Sequence, residues 1–193
     1  MRIETQADLT IRDSGSESDL QVGSGANITL LAGRDIGLGA DVIVIAIEGT
    51  VTLTADTTPG NNGGSINMHD RSLIDAGIGR IRLTADGNIT IGGVKTNNGS
   101  GTAVELSTSS GTVVDGGDHF PDVDTNGRVT VNTAVSPDPS KGAFHFSSMR
   151  RLAGKAEFKL KDTSTGVWGL KVFELEGRFS FKRPVNEWVN ELN

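Results

Sequence analysis

The sequence contains no cysteine and no tyrosine, and it has only five prolines in 193 residues. Without cysteine, the chain cannot form disulfide bonds, thiolate metal sites or thiolate nucleophiles. No apolar run approaches the ~18 residues of a membrane-spanning helix, and residues 1–6 lack the apolar core of a secretory signal. We therefore expect no membrane span. If the protein is exported, the chain is either a processed piece or an excerpt of a longer protein, and we expect the excerpt because the repeated pattern already runs at Leu9–Ile11.

Positive charge is scarce in the larger, N-terminal part of the chain. The net charge is −6, which argues against a nucleic-acid-binding protein held by phosphate contacts. Residues 1–140 contain 8 Lys and Arg against 18 Asp and Glu, whereas residues 141–193 contain 10 against 6. Of the 26 glycines, 21 precede residue 141, and eight of the nine aromatic residues follow it. These shifts predict a boundary at a linker that contains Pro and Ser, over residues 136–142.

A five-residue phrase recurs through the region before this linker, and its starts are 23, 30, 23 and 25 residues apart. In each copy the first and third residues are aliphatic, the second and fourth are mostly polar, and the fifth is Ala or Thr. The copies begin at Ile28, Val51, Ile81, Val104 and Val129. Repetition with this period is typical of a solenoid, in which each coil contacts mainly its neighbours.

Alternation with period two predicts that the aliphatic residues of each phrase face the interior of a stack of strands. The two interior columns are expected to contain Ile28, Val51, Ile81, Val104 and Val129, and Leu30, Leu53, Leu83, Leu106 and Val131. Second strands follow two of the phrases at the same offset, at Ile36–Leu38 and Ile89–Ile91. Arg82 and Glu105 fall at equivalent outward positions of adjacent coils, so we expect them to pair.

We therefore interpret residues 1–135 as an all-β, right-handed parallel β-helix of five to six coils, because crossovers between parallel strands are right-handed. Coils stacked ~4.8 Å apart would form a rod about 25–30 Å long. Glycines at the corners are expected to supply positive φ angles. These glycines are Gly33, Gly37, Gly39, Gly87, Gly92 and Gly93.

One segment, Val42–Ile47, is apolar on both faces of the predicted strand. Its outward side needs either a cover, from a loop or from the C-terminal region, or a partner. Because an exposed apolar strand invites association, the second interpretation predicts lateral self-association through Val42–Ile47.

The remainder of the chain, residues 143–193, has a different pattern. Glu157–Lys161, Val167–Glu176 and Arg178–Lys182 alternate apolar and charged residues, which predicts antiparallel strands joined by turns. A proline followed by spaced apolar residues near the end predicts a short terminal helix. Together these elements predict a small antiparallel, β-rich cap over the last coil. The alternative is that their aromatic side chains bind a carbohydrate or a partner protein.

A segment between the last two phrases matches the opening D-x-D-x-N-G of a calcium-binding loop. Asp122, Asp124 and Asn126 would supply oxygen ligands at alternate positions, and the following glycine the sharp turn. The carboxylate expected at the twelfth position is absent, because that residue is Thr133, and no helical pattern flanks the loop. We therefore interpret this segment as a polar loop between two coils, with the binding of calcium, the only cofactor that the sequence suggests, as the alternative.

The same region contains the only dense acidic cluster of the chain, namely Asp115, Asp118, Asp122 and Asp124, with His119 among them. Pairs of carboxylates at a defined separation act as acid and base in polysaccharide-cleaving enzymes. The loops here are too short to build a groove, and the aromatic residues lie in the C-terminal region rather than beside the acids. We expect no enzyme and identify no catalytic residue; a polysaccharide lyase or glycoside hydrolase that uses this cluster is the alternative.

The segments Ile81–Gly92 (IRLTADGNITIG) and Ile28–Gly39 (ITLLAGRDIGLG) resemble the repeats of filamentous-haemagglutinin-like surface proteins. Val104–Gly117 is similar to a variant coil of very large bacterial surface proteins of this kind. The resemblance covers residues 8–135 and does not extend into residues 143–193. It implies a secreted, right-handed β-helix that serves as a stalk or an adhesin.

From these observations we expect a non-enzymatic structural or adhesive segment of a secreted or cell-surface bacterial protein. A rigid shaft would display loops and lateral faces for recognition. The expected location is extracellular, and the expected partner is a host or neighbouring-cell surface or a carbohydrate.

Overall fold

The computed structural model of the chain describes residues 1–15, 17–57, 63–116, 119–120, 122–135, 154–162 and 168–175. The regular structure in these residues consists of 18 β-strands in three sheets. Within the described ranges there is no helix, and so none long and apolar enough to cross a membrane.

Sheet A has eight strands: β1 (Arg2–Thr5), β4 (Ile28–Ala32), β7 (Val51–Thr54), β10 (Ile81–Ala85), β13 (Val104–Thr108), β16 (Val129–Val135), β17 (Gly154–Asp162) and β18 (Trp168–Leu175). Sheet B has five: β2 (Leu9–Ile11), β5 (Ile36–Leu38), β8 (Ile66–Met68), β11 (Ile89–Ile91) and β14 (Val113–Asp115). Sheet C also has five: β3 (Leu20–Val22), β6 (Ile43–Ala46), β9 (Leu73–Asp75), β12 (Val94–Thr96) and β15 (Val123–Thr125). The chain visits A, B and C in turn, which makes five coils of three strands.

Each strand from β1 to β13 pairs in parallel with the strand three places later, one coil further along. The five copies of the repeated phrase form β4, β7, β10, β13 and β16, with their first residues in register. The all-β, parallel solenoid is therefore confirmed, with three strands in each coil. Its right-handed sense stays a prediction from the crossover rule.

The interior of the solenoid is filled by the predicted aliphatic columns. All ten of the residues assigned to the two columns are 0–1% exposed. Sheet B adds Ile36, Ile66 and Ile89, and sheet C adds Val44 and Ile74, each 0% exposed. Because burying one such side chain contributes ~1.5–3 kcal/mol, the stacked columns are the main source of stability.

The four buried hydroxyl groups of this interior, on Ser72, Thr96, Thr108 and Thr125, all take part in hydrogen bonds. The hydroxyl of Thr96 donates to the carbonyl of Gly79 at 2.6 Å. The hydroxyl of Ser72 donates to the carbonyl of His69 at 2.8 Å. A buried hydroxyl without a partner would cost free energy, so these residues sit where the chain turns and free carbonyls are available.

The corner glycines are required for a different reason from the expected one. Positive φ occurs at Gly15, Gly25, Gly63 and Gly77, so the expectation for the six glycines named above was wrong. At Gly92 the cause is a lack of space, since a Cβ atom would lie 2.1 Å from a carbonyl oxygen of the preceding coil, whereas at Gly37 it would meet no atom closer than 3.7 Å. Coils stacked at strand spacing leave no room for a side chain where their backbones turn together.

A ladder of side chains stabilises the corner between sheets A and B. The residue before each sheet B strand is Asp8, Asp35, Ser65, Asn88 or Thr112. A side-chain oxygen of each of the first four accepts a hydrogen bond from the backbone N–H of the next, at 3.3, 2.7, 3.2 and 3.0 Å. These bonds satisfy backbone groups at a corner where strand pairing is interrupted.

Sheet A continues past the fifth coil. β17 pairs in parallel with β16, and β18 pairs antiparallel with β17. The first two predicted strands of the C-terminal region are thus present as an antiparallel pair. The predicted third strand at Arg178–Lys182 and the terminal helix lie outside the described residues, as does the 136–142 linker.

Candidate functional site

The three predicted calcium ligands lie along and beside strand β15 of sheet C. Asp124 is the central, outward-facing residue of this strand, between the buried Val123 and Thr125. Asp122 comes just before the strand and is 3% exposed, whereas Asn126 follows the strand and is exposed.

An extended strand is a poor geometry for a single ion site. The strand covers only Val123–Thr125, with Asp122 before it and Asn126 after it, and at ~3.3 Å per residue its two steps alone span about 7 Å. Calcium requires its oxygens at ~2.3–2.6 Å from the ion, so ligands on one ion lie within about 5 Å of each other. In the part of the chain that the structure describes, no group of three or more His, Cys, Asp or Glu side chains could hold a metal ion. Calcium binding by Asp122, Asp124 and Asn126 stays a prediction.

The Asn-Gly step that completes the motif forms a corner of the solenoid. The backbone N–H of Gly127 donates to the hydroxyl of Thr125 at 3.1 Å. A Cβ atom on Gly127 would lie 2.2 Å from the carbonyl oxygen of Asn98 in the preceding coil. Close stacking of two corners therefore accounts for this glycine without a metal.

Asp124 also has a charged neighbour on the outer face of sheet C. It lies in register with Lys95 on β12, which lies in register with Asp75 on β9. The ammonium of Lys95 is 3.1 Å from the carboxylate of Asp75. The result is an outward column of alternating charge, in which Lys95 lies between two acids. The analogous pair on sheet A, Arg82 and Glu105, is confirmed at 2.9 Å.

The acidic cluster considered for catalysis is divided between two sheets. Asp115 belongs to β14 of sheet B, whereas Asp122 and Asp124 belong to the sheet C side of the next corner. Asp118 lies outside the described residues. Because the described acids are distributed around a corner and along a strand, the backbone does not bring them to one point.

The connection between β14 and β15 packs against neighbouring corners. The sheet B to sheet C corner of the fourth coil is only Gly92-Gly93, and Phe120 occupies the space beside it: a Cβ atom on Gly93 would lie 2.9 Å from the Cβ of Phe120. The backbone N–H of His119 donates to the carboxylate of Asp70 at 2.7 Å, one further coil away. Sequence reasoning missed Asp70, because this contact depends on which corners lie above one another.

The side chains of the apolar segment Val42–Ile47 alternate between the core and the outer face of sheet C. Val42, Val44 and Ala46 are 0% exposed in the core, whereas Ile43 and Ile45 are half-buried on the outer face and Ile47 is 45% exposed. Sequence reasoning missed Ile78, which is 58% exposed beside this strand. An isolated Ile between two glycines gives no periodic signal.

Fold and surface together define a parallel β-solenoid with a packed aliphatic interior, side-chain ladders at its corners and a mixed apolar and charged outer face on sheet C. Comparison of the chain with family models, with curated proteins and with solved structures returned no match in any of the three. The resemblance to filamentous-haemagglutinin-like repeats therefore rests on the repeated phrases alone. A solenoid arrangement is compatible with that family but does not identify it.

Proposed function

We infer that this chain is a non-enzymatic structural or adhesive segment of a secreted or cell-surface bacterial protein. The observation that carries this proposal is the continuous interior: five coils pair strand to strand in three sheets, around aliphatic columns that water does not reach. Such a shaft resists bending because each coil is hydrogen-bonded to the next in all three sheets. Its function would be to hold its outer faces and corner loops at a fixed spacing from a cell.

The outer faces supply the recognition part of the proposal. Sheet A presents Thr, Ser, Asn, one Leu and two Arg–Glu pairs, and sheet C presents isoleucines beside alternating charges. Flat, repeated faces of this kind suit extended partners such as a polysaccharide or a neighbouring cell surface. The resemblance of the repeats to those of surface adhesins supports the same location and role.

A binding and cleavage assay tests the proposal. The chain, coupled to beads, would be incubated with a panel of bacterial and host polysaccharides and with whole cells. We expect retention of at least one of these partners and no release of new reducing ends. Release of reducing ends, lost on Asp122→Asn or Asp124→Asn, would instead establish a carbohydrate-active enzyme. Neither retention nor cleavage would leave a shaft without adhesive function.

A further inference from the structure

Asparagine followed by glycine occurs three times in the chain, at Asn62, Asn98 and Asn126. Such a step is chemically labile, because glycine has no side chain to shield its backbone nitrogen from the amide carbon of the preceding asparagine. Asn62 lies outside the described residues, so the comparison is between Asn98 and Asn126. Both stand at corners between sheet C and sheet A, in the fourth and fifth coils, but their surroundings differ.

The glycine nitrogen is accessible at the first of these steps and hydrogen-bonded at the second. Gly99 is exposed, and an added Cβ atom there would meet no heavy atom within 4 Å. In the described part of the chain, no group accepts a hydrogen bond from its N–H. Gly127 is buried, and its N–H donates to the hydroxyl of Thr125 at 3.1 Å. Of the two nitrogens, only that of Gly99 can lose its proton to water without breaking a hydrogen bond within the protein.

The side chain of Asn98 is held across this same nitrogen. Its Oδ1 accepts from the backbone N–H of Ser100 at 2.8 Å, and its Nδ2 donates to the carbonyl of Ile78 in the preceding coil at 2.9 Å. An oxygen that reaches the N–H two residues later must lie over the intervening peptide unit, which brings Cγ beside the nitrogen of Gly99. Proximity fixed in this way lowers the entropic barrier to an intramolecular attack.

The N–H of Ser100 also points at the atom that becomes negatively charged. When a nitrogen attacks Cγ of Asn98, the carbon turns tetrahedral and Oδ1 becomes an oxyanion. A backbone donor ~2.7–3.1 Å from such an oxygen stabilises the transition state, and the N–H of Ser100 meets this condition. Two residues after Asn126, the N–H of Arg128 donates instead to the carbonyl of Ser100 at 3.1 Å.

We propose that Asn98 is a site of spontaneous deamidation, in which the backbone nitrogen of Gly99 attacks Cγ of Asn98. A bond forms between that nitrogen and Cγ, and the nitrogen's proton passes to water. The Cγ–Nδ2 bond breaks, and the amide nitrogen leaves as ammonia after taking a proton from water. The cyclic succinimide then takes up one water molecule. Opening at the side-chain carbonyl gives aspartate, and opening at the main-chain carbonyl gives isoaspartate. This inference is independent of the proposed function.

Either product breaks a link between the fourth coil and the third. The new carboxylate has no proton to donate to the carbonyl of Ile78, so two oxygens face each other where Nδ2 made a hydrogen bond. Isoaspartate also lengthens the backbone at a tightly packed corner, where a Cβ atom on Gly127 would lie 2.2 Å from the carbonyl oxygen of Asn98. The reaction therefore weakens the contacts of this corner with the coils on both sides.

Peptide mapping by mass spectrometry tests the site. Cleavage after Glu105, the only glutamate between the two asparagines, places Asn98 and Asn126 in different peptides, and fragment-ion sequencing locates the modified residue. The unmodified chain would be incubated at mildly alkaline pH, folded in one sample and unfolded in urea in the other. In the folded chain we expect deamidation at Asn98 to be at least about ten times faster than at Asn126.

The sample in urea shows whether structure selects the site. There the two rates should become similar, because both residues are then ordinary Asn-Gly steps. Equal rates in the folded chain, or faster deamidation at Asn126, would overturn the proposal. The same tenfold preference for Asn98 in urea would also overturn it, because the preference would then come from the local sequence alone.

Gly99→Ala is the matched variant. Its methyl group shields the attacking nitrogen, and an added Cβ atom at this position meets no neighbour. We expect roughly tenfold slower deamidation at Asn98, with unchanged circular dichroism and an unchanged urea midpoint. An unchanged rate in this variant would show that the nitrogen of Gly99 is not the attacking group.

The structural consequence has its own test. Asn98→Asp reproduces the aspartate product, and Asn126→Asp adds the same charge at the exposed corner residue of the next coil. The urea midpoint should fall for Asn98→Asp and change less for Asn126→Asp. A midpoint for Asn98→Asp equal to that of the unmodified chain would contradict the loss of a link between the coils.

Discussion

At the scale of single residues, space decides which substitutions the solenoid tolerates. Backbones of adjacent coils turn together at each corner, and a glycine often stands where the neighbouring carbonyl approaches most closely. A Cβ atom on Gly79 would lie 1.7 Å from the carbonyl oxygen of Gly49. At Gly99 it would meet no heavy atom within 4 Å. Both residues are glycines, but only Gly79 lies where the neighbouring coil leaves no room for a side chain.

Gly79→Ala should therefore destabilise the fold, while Gly99→Ala should not. Overpacking costs about 1–3 kcal/mol, and more where only backbone can move, so we expect at least that loss at Gly79. At Gly99 the replacement should change the free energy of unfolding by less than ~1 kcal/mol, in either direction. Urea unfolding followed by circular dichroism measures both. Equal effects at the two positions would contradict the close stacking of the corners.

Asp19 links the first loop to the second coil and should make stability depend on pH. Hydrogen bonds from the backbone N–H groups of Ile43 and Ser14, at 2.9 and 2.7 Å, hold the pKa of Asp19 below its ordinary value of 3.8. A carboxyl group whose folded pKa is lowered stabilises the fold at pH values above its unfolded pKa. That contribution is lost as the pH falls through the lower, folded pKa.

We expect Asp19→Asn to be less stable than the unmodified chain at pH 7, because an amide offers one acceptor oxygen where the carboxylate offers two. The difference should shrink as the pH falls below about 4. Glu17→Gln removes an equal charge from an exposed residue of the same loop and is the control. Urea unfolding from pH 7 to pH 2.5 gives the profile, and a difference that is constant over that range would exclude this role for Asp19.

At the scale of elements, the side-chain ladder between sheets A and B joins successive coils. Asn88 is its clearest member, since its side-chain oxygen accepts from the N–H of Thr112 at 3.0 Å. Asn88→Ala should destabilise the fold by about 0.5–1.5 kcal/mol. Asn88→Asp keeps the acceptor and should lose less, and chemical denaturation distinguishes the two. If both variants lose the same amount, the hydrogen bond is not what Asn88 contributes.

Strand β15 gives two opposite expectations for calcium. The D-x-D-x-N-G motif predicts that calcium raises the melting temperature and that Asp124→Ala abolishes the rise, because an ion bound only to the folded state stabilises it. The placement of Asp122 and Asn126 at opposite ends of β15 predicts no change. Thermal unfolding in calcium and in EDTA decides between them. Both the unmodified chain and Asp124→Ala would be measured with and without calcium, because Asp124→Ala also removes the acidic neighbour of Lys95. Only the calcium-dependent part of the difference then reports on metal binding.

Some elements of this fold could be predicted from the sequence, and others could not. The interior columns were predictable residue by residue, because β alternation repeats in register through coils of 23 to 30 residues. Most strands of sheet C were not predicted, since three residues between corners are too few for a periodic signal. The hydrogen bond between His119 and Asp70 was also out of reach. It depends on which corners lie above one another, and that in turn depends on the length of every intervening loop.

At the scale of the whole molecule, the fold accounts for the uneven composition. Glycine is concentrated where coils must stack closely, and aromatic residues are rare because a narrow interior between three short sheets accommodates Val, Ile, Leu and Ala. Sheet A extends beyond the fifth coil through β16, β17 and β18. The described part of the chain is therefore a stack of coils whose structure repeats along one axis.

The outward column of sheet A offers the most direct test of this shaft. Thr29, Thr52, Arg82, Glu105 and Thr130 lie in register on consecutive strands. Four intervals of ~4.8 Å place the backbones of Thr29 and Thr130 about 19 Å apart. Spin labels on a Thr29→Cys/Thr130→Cys variant would measure that distance by pulsed electron paramagnetic resonance. The solenoid predicts a narrow distribution near 19 Å, allowing for the labels. A broad distribution, or one centred well beyond 30 Å, would contradict it.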